Sequence, residues 1–199
     1  EKYGKYEAYF IGKDEPVIYL TFDCGYENGY TPPILDALKE KNVQAVFFCT
    51  MDYIKRQPEL VQRMIDEGHA IGNHSDKHLC MPEQTIERCE TEIMNVHQYM
   101  EENFQYTMTL FRAPAGEFSE RTLAQAQELG YKTLFWSYAY KDWDPDNQMG
   151  VDKALPKITG ALHLGAIYLL HAVSPDNAAI LGDFIDNARN AGYTFALFQ

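Results

Sequence analysis

Apolar, β-branched and aromatic residues gather in short runs along this chain: Val17–Phe22, Ala45–Cys49, Ala70–Gly72, Thr109–Phe111, Thr133–Trp136, Ile167–Leu170 and Thr194–Phe198. Bounded by polar and turn-forming residues, these seven runs predict seven strands. Helix-like segments lie between most of them. Thr31 precedes Pro32 and Pro33, Pro58 precedes Glu59, and Ser119 opens a stretch rich in Leu, Ala, Gln and Glu. Proline fits a first helical turn, whose N–H groups have no partner inside the helix, so these positions predict helix starts. Gly68, Gly130 and Gly192 predict three helix ends, because glycine adopts the left-handed conformation that closes a helix. The longest helix is expected from Glu83 to about Glu102, where Ile86, Cys89, Ile93, Val96 and Met100 recur at helical spacing and form a core stripe.

Strand-like runs alternating with amphipathic helices about every 30 residues predict βα units and a parallel sheet. The expected α/β fold is a distorted (β/α) barrel of about seven parallel strands. Residues 1–16 read as a lead-in segment and 17–199 as one domain, since 199 residues support one sizeable core but leave two domains near the lower size limit.

The formal net charge of −12 and the lack of any Lys/Arg run exclude nucleic acid as an expected partner. A sugar is compatible with that charge, because a glycan groove works through local hydrogen bonds and aromatic faces. No apolar run is long enough to span a membrane, and no signal-like segment opens the chain, which predicts a trimmed chain without its export signal or anchor. Cys24, Cys49, Cys80 and Cys89 are irregularly spaced with no CxxC pair, so no disulfide framework is expected. A monomer is expected.

Polar residues at the strand ends carry the chemistry. Asp23 and Cys24 follow the first run, His74 the third and Arg112 the fourth; Asp142 lies just beyond the fifth, and His171 follows the sixth. Side chains at the carboxyl ends of parallel strands converge on one face, where barrel folds build active sites. Each segment also has a plain structural explanation when taken singly. His74 and His78, four apart in Gly72-Asn73-His74-Ser75-Asp76-Lys77-His78, would aim two imidazoles at one point or be unrelated surface histidines. Asp23 would be a ligand, a base or a turn former. Arg112 would be a surface charge, and His171, after a very apolar run, a hydrogen-bonded core residue.

Taken in order, Thr21-Phe22-Asp23-Cys24-Gly25, the His74/His78 segment, Phe111-Arg112-Ala113-Pro114-Ala115-Gly116, Trp136-Ser137 with Asp142-Trp143, and Leu169-Leu170-His171-Ala172-Val173-Ser174 resemble five signature motifs. These are the motifs of the family 4 carbohydrate esterases, polysaccharide deacetylases with the NodB homology domain. The continuation Tyr26-Glu27-Asn28-Gly29-Tyr30-Thr31 resembles the branch of δ-lactam-biosynthetic and peptidoglycan N-acetylmuramic acid deacetylases.

The resemblance implies metal-dependent hydrolysis of an acetamide on a cell-wall glycan, N-acetylmuramic acid in peptidoglycan first and N-acetylglucosamine second, with extracytoplasmic localisation, secreted or anchored. It implies that His74 and His78 bind a divalent metal, zinc foremost, that Asp23 is the general base and that His171 is the general acid. Arg112 would hold Asp23 ionised and Asp142 would orient His171. Trp143, Trp136, Tyr26 and the Pro114–Gly116 turn would line the sugar groove, with the Ala115 N–H binding the oxyanion.

The chain departs from the family at Cys24, where most members carry a metal-binding Asp; Cys24 would either bind as a thiolate or stand by. Ala139 replaces a frequent acid. Lys77, Lys141 and Arg121 are candidate cations for a lactyl carboxylate. A non-catalytic glycan-binding domain, or a zinc module closed by Cys24, His74, His78 and Cys80, is the alternative of a different class. His69, His97 and His163 receive no role.

Overall fold

The structure, a computed structural model, describes residues 2–199. Its strands are β1 (Ala8–Tyr9), β2 (Val17–Cys24), β3 (Val46–Cys49), β4 (Ala70–Asn73), β5 (Leu110–Phe111), β6 (Lys132–Leu134), β7 (Tyr138–Ala139), β8 (Ile167–His171) and β9 (Thr194–Phe195). Its helices are α1 (Thr31–Glu40), α2 (Met51–Arg56), α3 (Pro58–Asp66), α4 (Ile86–Phe104), α5 (Glu120–Glu128), α6 (Val151–Gly160) and α7 (Pro175–Asn190). The strands run in the order β1-β6-β5-β4-β3-β2-β8-β7, and β9 pairs with the start of β2. Each of these pairings is parallel. Among the described residues nothing pairs β1 with β7, so the sheet is a curled barrel with one open seam.

All seven sequence-derived strands form, and two more join them. β1 and β7 span two residues each. β1 belongs to the segment read as a lead-in, and it extends the sheet beyond β6.

The alternation along β2 explains both cores. Ile18, Leu20, Phe22 and Cys24 face the helical layer, in the large cluster that includes Ile34, Leu35, Ile180 and Phe184. Tyr19, on the other face, joins a small cluster inside the barrel: Val46, Phe48, Leu110, Leu134 and Ile167. A period of two residues makes this division unavoidable. It also sends Asp23 to the inner side.

The caps match the residue types. The Thr50, Thr85, Ser119 and Ser174 side chains accept backbone N–H groups at the starts of α2, α4, α5 and α7. α4 starts at Ile86 rather than Glu83, because Met81–Glu83 form a separate 3-10 turn and Gln84 is extended. Ile86 is therefore on the first turn and 55% exposed, not part of the core stripe, whereas Cys89, Ile93, Val96 and Met100 are buried as expected.

Candidate active site

Asp23, next to last on β2, sits between register partners Phe48 on β3 and His171 on β8. Its Oδ1 accepts from Arg112 Nη1 at 2.9 Å. Arg112 is wholly buried immediately after β5, and every nitrogen of its guanidinium has an acceptor. Nε donates to the Leu134 carbonyl and Nη2 to the Phe135 carbonyl, both at 2.8 Å, while Nη1 also donates to Thr21 Oγ1 at 2.8 Å. Its plane lies over Phe48, 4.3 Å from the ring centroid. A charge this deep is tolerated only when paired and fully bonded, and both conditions hold. Burial pushes the Asp23 carboxyl upward, but the charges of His74, Arg112 and His171 outweigh it and hold the group below its ordinary value.

His74 follows β4 and is buried. Its Nδ1 lies 2.9 Å from the Arg112 carbonyl. A carbonyl only accepts, so Nδ1 carries the proton and the Nε2 lone pair is turned toward Asp23 Oδ2, 3.6 Å away. Burial lowers the His74 pKa against the pull of the neighbouring Asp23 charge. His78 is brought back by a tight loop rather than by a helical turn: Ser75 and His78 have φ of 72° and 53°. Ser75 Oγ accepts the His78 N–H at 3.0 Å, Asn73 Oδ1 accepts the Ser75 N–H at 3.0 Å, and the buried Glu92 of α4 accepts the Lys77 N–H at 2.8 Å. The two imidazole centroids come within 5.0 Å.

On the opposite side, Asp142 is buried with Oδ1 2.7 Å from His171 Nδ1. Oδ2 accepts from the His171 backbone N–H at 2.8 Å and from Asn177 Nδ2 at 2.7 Å. Burial lowers the His171 pKa, yet the hydrogen bond to Asp142 and its charge overcome that and raise the group above its ordinary value. With Nδ1 engaged, Nε2 is the nitrogen free to exchange a proton.

The Pro114–Gly116 turn places two consecutive residues at positive φ, Ala115 at 55° and Gly116 at 68°. A Cβ on Gly116 would lie 2.6 Å from Trp136 Cη2. Trp136 is thus the half-buried support of this turn, and its ring also lies over the Arg112 guanidinium at 5.6 Å. Trp143 is exposed and its ring stands 6.1 Å from that of His171. Tyr26 is exposed, and Glu27 is engaged within its own loop, accepting from the Gly29 and Thr31 N–H groups and from the Tyr53 hydroxyl. Asn28 donates to the Val173 carbonyl at 3.0 Å, tying the loop after β2 to the loop after β8. A cavity of about 870 Å³ lies elsewhere, lined by Tyr3, Tyr9, Phe10, Tyr19 and Phe198.

The whole arrangement has close relatives. A family described as polysaccharide deacetylase matches residues 11–134. The peptidoglycan-N-acetylmuramic acid deacetylase PdaA of Bacillus subtilis (strain 168) is 46% identical over 194 residues, covering 96% of this chain and 73% of that protein. The chain belongs to the polysaccharide deacetylase family. The solved structure of Bacillus subtilis PdaA, a family 4 carbohydrate esterase, matches with a TM-score of 0.94 at 44% identity, covering 98% of this chain and 84% of that one. A peptidoglycan-N-acetylglucosamine deacetylase of Bacillus cereus is 31% identical over 193 residues, 96% of this chain and 90% of that protein.

The donor chemistry of this polysaccharide deacetylase suits a divalent ion at the histidine pair. A ring nitrogen fixed by a carbonyl, with the other nitrogen's lone pair turned outward, is the usual support of a metal-bound imidazole. Cys24 does not join it. It lies on the outer face of β2, wholly buried, and its Cys49 partner and its burial push the thiol well above its ordinary value. The thiolate that a metal requires is disfavoured there. Cys80 is turned to Glu117, which contradicts a closed Cys24-His74-His78-Cys80 module. Among the described residues no three His, Cys, Asp or Glu side chains are grouped to hold an ion.

Three further residues shape the site without having stood out in the sequence. Thr21 donates to the Tyr168 carbonyl at 2.6 Å and thereby offers its lone pairs to Arg112. Asn177 bonds Asp142, and Gln148 Nε2 ties the Asp142 and Asp144 carbonyls together at 2.9 and 2.8 Å. The Ser174-Pro175 helix start was the available signal for Asn177, since it fixes that side chain in the first turn after β8. Of the candidate cations, Arg121 is engaged by the Pro82 and Gln84 carbonyls, leaving Lys77 and Lys141 exposed near the site.

Proposed function

We propose that this protein hydrolyses the acetamide of N-acetylmuramic acid residues in peptidoglycan, outside the cytoplasm, with Asp23 as base and His171 as acid. The observation that carries this reading is the pairing of two oppositely tuned groups on neighbouring strands. Arg112 favours the ionised form of Asp23, and Asp142 favours the protonated form of His171.

Amide hydrolysis needs a proton removed from the attacking water and another delivered to the departing nitrogen. Asp23 accepts the first. His171 Nε2 delivers the second, because a sugar amine leaves poorly unless protonated. Negative charge developing on the carbonyl oxygen would be met by the Ala115 N–H at the exposed turn. A divalent ion at His74 and His78, zinc by its taste for imidazole, would lower the pKa of a bound water to about 7 and polarise the carbonyl. Trp143 and Tyr26 offer exposed aromatic faces to the sugar rings.

The muramic assignment rests on the 46% identity to the Bacillus subtilis enzyme; the 31% identity to the Bacillus cereus enzyme favours N-acetylglucosamine as the second reading. Mass spectrometry of peptidoglycan digested after treatment separates them. Loss of acetyl from muramic acid is expected, and loss from glucosamine alone refutes the first reading.

A further inference from the structure

We propose that Asn177 and Tyr140 are positioning residues for the general acid, locking the Asp142 carboxylate in the orientation that keeps His171 aligned for proton delivery. The proposal rests on the reading of His171 as that acid.

Asn177 has both ends of its amide assigned by its neighbours. Nδ2 faces Asp142 Oδ2 at 2.7 Å and the His171 carbonyl at 3.1 Å, two groups that can only accept. Its Oδ1 must then accept, and the Tyr140 hydroxyl donates to it. The Tyr140 bond thus fixes which face of the amide meets Asp142. All three side chains are buried, so water cannot readily substitute for a lost partner.

Asp142 Oδ2 receives two donors, the His171 backbone N–H and Asn177, and these fix the carboxylate plane that presents Oδ1 to His171 Nδ1. Asn177 is itself held at the start of α7 by its backbone N–H on Ser174 Oγ at 3.0 Å. The chain from Tyr140 through Asn177 to Asp142 therefore connects the helix terminus to the acid. The other charges acting on His171 are Asp23 on β2 and Arg112 after β5, while Asp176, beside Asn177, is turned away to the Gly150 N–H at 2.9 Å.

The test is an NMR titration of the His171 ring, with kcat and KM against pH, in the full chain and in Asn177→Ala, Tyr140→Phe and the double variant. In Asn177→Ala, kcat is expected to fall about tenfold with KM unchanged. The His171 titration should move down by about one pH unit, because a carboxylate free to rotate no longer holds Oδ1 on His171 Nδ1, and that loss outweighs the charge returned to Asp142 by the missing donor. Tyr140→Phe should shift both the same way by less, and the double variant should match Asn177→Ala, because both changes break one chain.

An unmoved His171 titration in Asn177→Ala, or additive effects in the double variant, overturns the proposal. If Asn177→Ala does not fold, an unmoved titration in Tyr140→Phe overturns it equally. A wild type that releases no acetate would refute the deacetylase reading instead, and the ring titration would still decide the positioning role.

Discussion

Asp23 and His171 are register partners on the neighbouring parallel strands β2 and β8. Base and acid candidates thus stand on rigid backbone, side by side at the carboxyl ends of their strands, while their controlling partners approach from opposite sides: Arg112 after β5 and Asp142 after β7. Rigid elements hold reacting groups more closely than loops do.

Arg112 carries the structural burden of the base. Arg112→Ala would strand buried acceptors on Thr21, Asp23, Leu134 and Phe135, so urea denaturation should show a loss of about 3–5 kcal/mol. Arg112→Lys keeps the charge but lacks the planar fork, and should recover only part of that loss.

Stability should depend on pH from both sides. The Asp23 pKa is depressed on folding, so its contribution is present above the ordinary carboxylate value of about 3.9 and is lost as pH falls through the folded value. The His171 pKa is raised, so its contribution is complete below about 6.5 and is lost as pH rises through the folded value. The Asp23 and His171 contributions are therefore complete together only between about pH 4 and 6.5, while the buried His74, whose pKa is lowered, opposes them as pH falls below about 6.5; the alkaline decline should be flattened in His171→Ala. A decline that persists unchanged in that variant would assign it to another group.

The place of Cys24 leads to a direct metal test. Zinc titrated calorimetrically into metal-stripped wild type and Cys24→Ser should bind with equal affinity, whereas His78→Ala should bind at least about tenfold more weakly. Weaker binding in Cys24→Ser would restore the thiol as a ligand.

The Pro114–Gly116 turn is sensitive to a single methyl group. Gly116→Ala would force a Cβ against Trp136 at a positive φ, displacing the neighbouring Ala115 N–H. Turnover should fall about 100-fold, as for a displaced catalytic group, with the far-UV circular dichroism unchanged. Wild-type turnover would remove the turn from the oxyanion site.

The sequence made the strand-end residues visible because strands of this type stand out as apolar runs and the reactive groups directly follow them. The site residues that sequence motifs could not weigh are those whose role comes from long-range hydrogen bonds. Thr21 meets Arg112 across 91 positions and Asn177 meets Asp142 across 35, distances at which local patterning carries no signal. Cys24 was a different case. The alternation Ile18, Leu20, Phe22, Cys24 assigns it to the outer face, away from the histidines, although its place after Asp23 in the first motif suggests a ligand.

The central claim is that Asp23 and His171 move the two protons of amide hydrolysis. Acetate released from N-acetylated peptidoglycan fragments should be measured for wild type, Asp23→Asn and His171→Ala, with folding checked for each. Wild type is expected to release acetate and each variant to be slower by about 10²–10⁴-fold. Variants that hydrolyse the glycan at the wild-type rate would contradict the account.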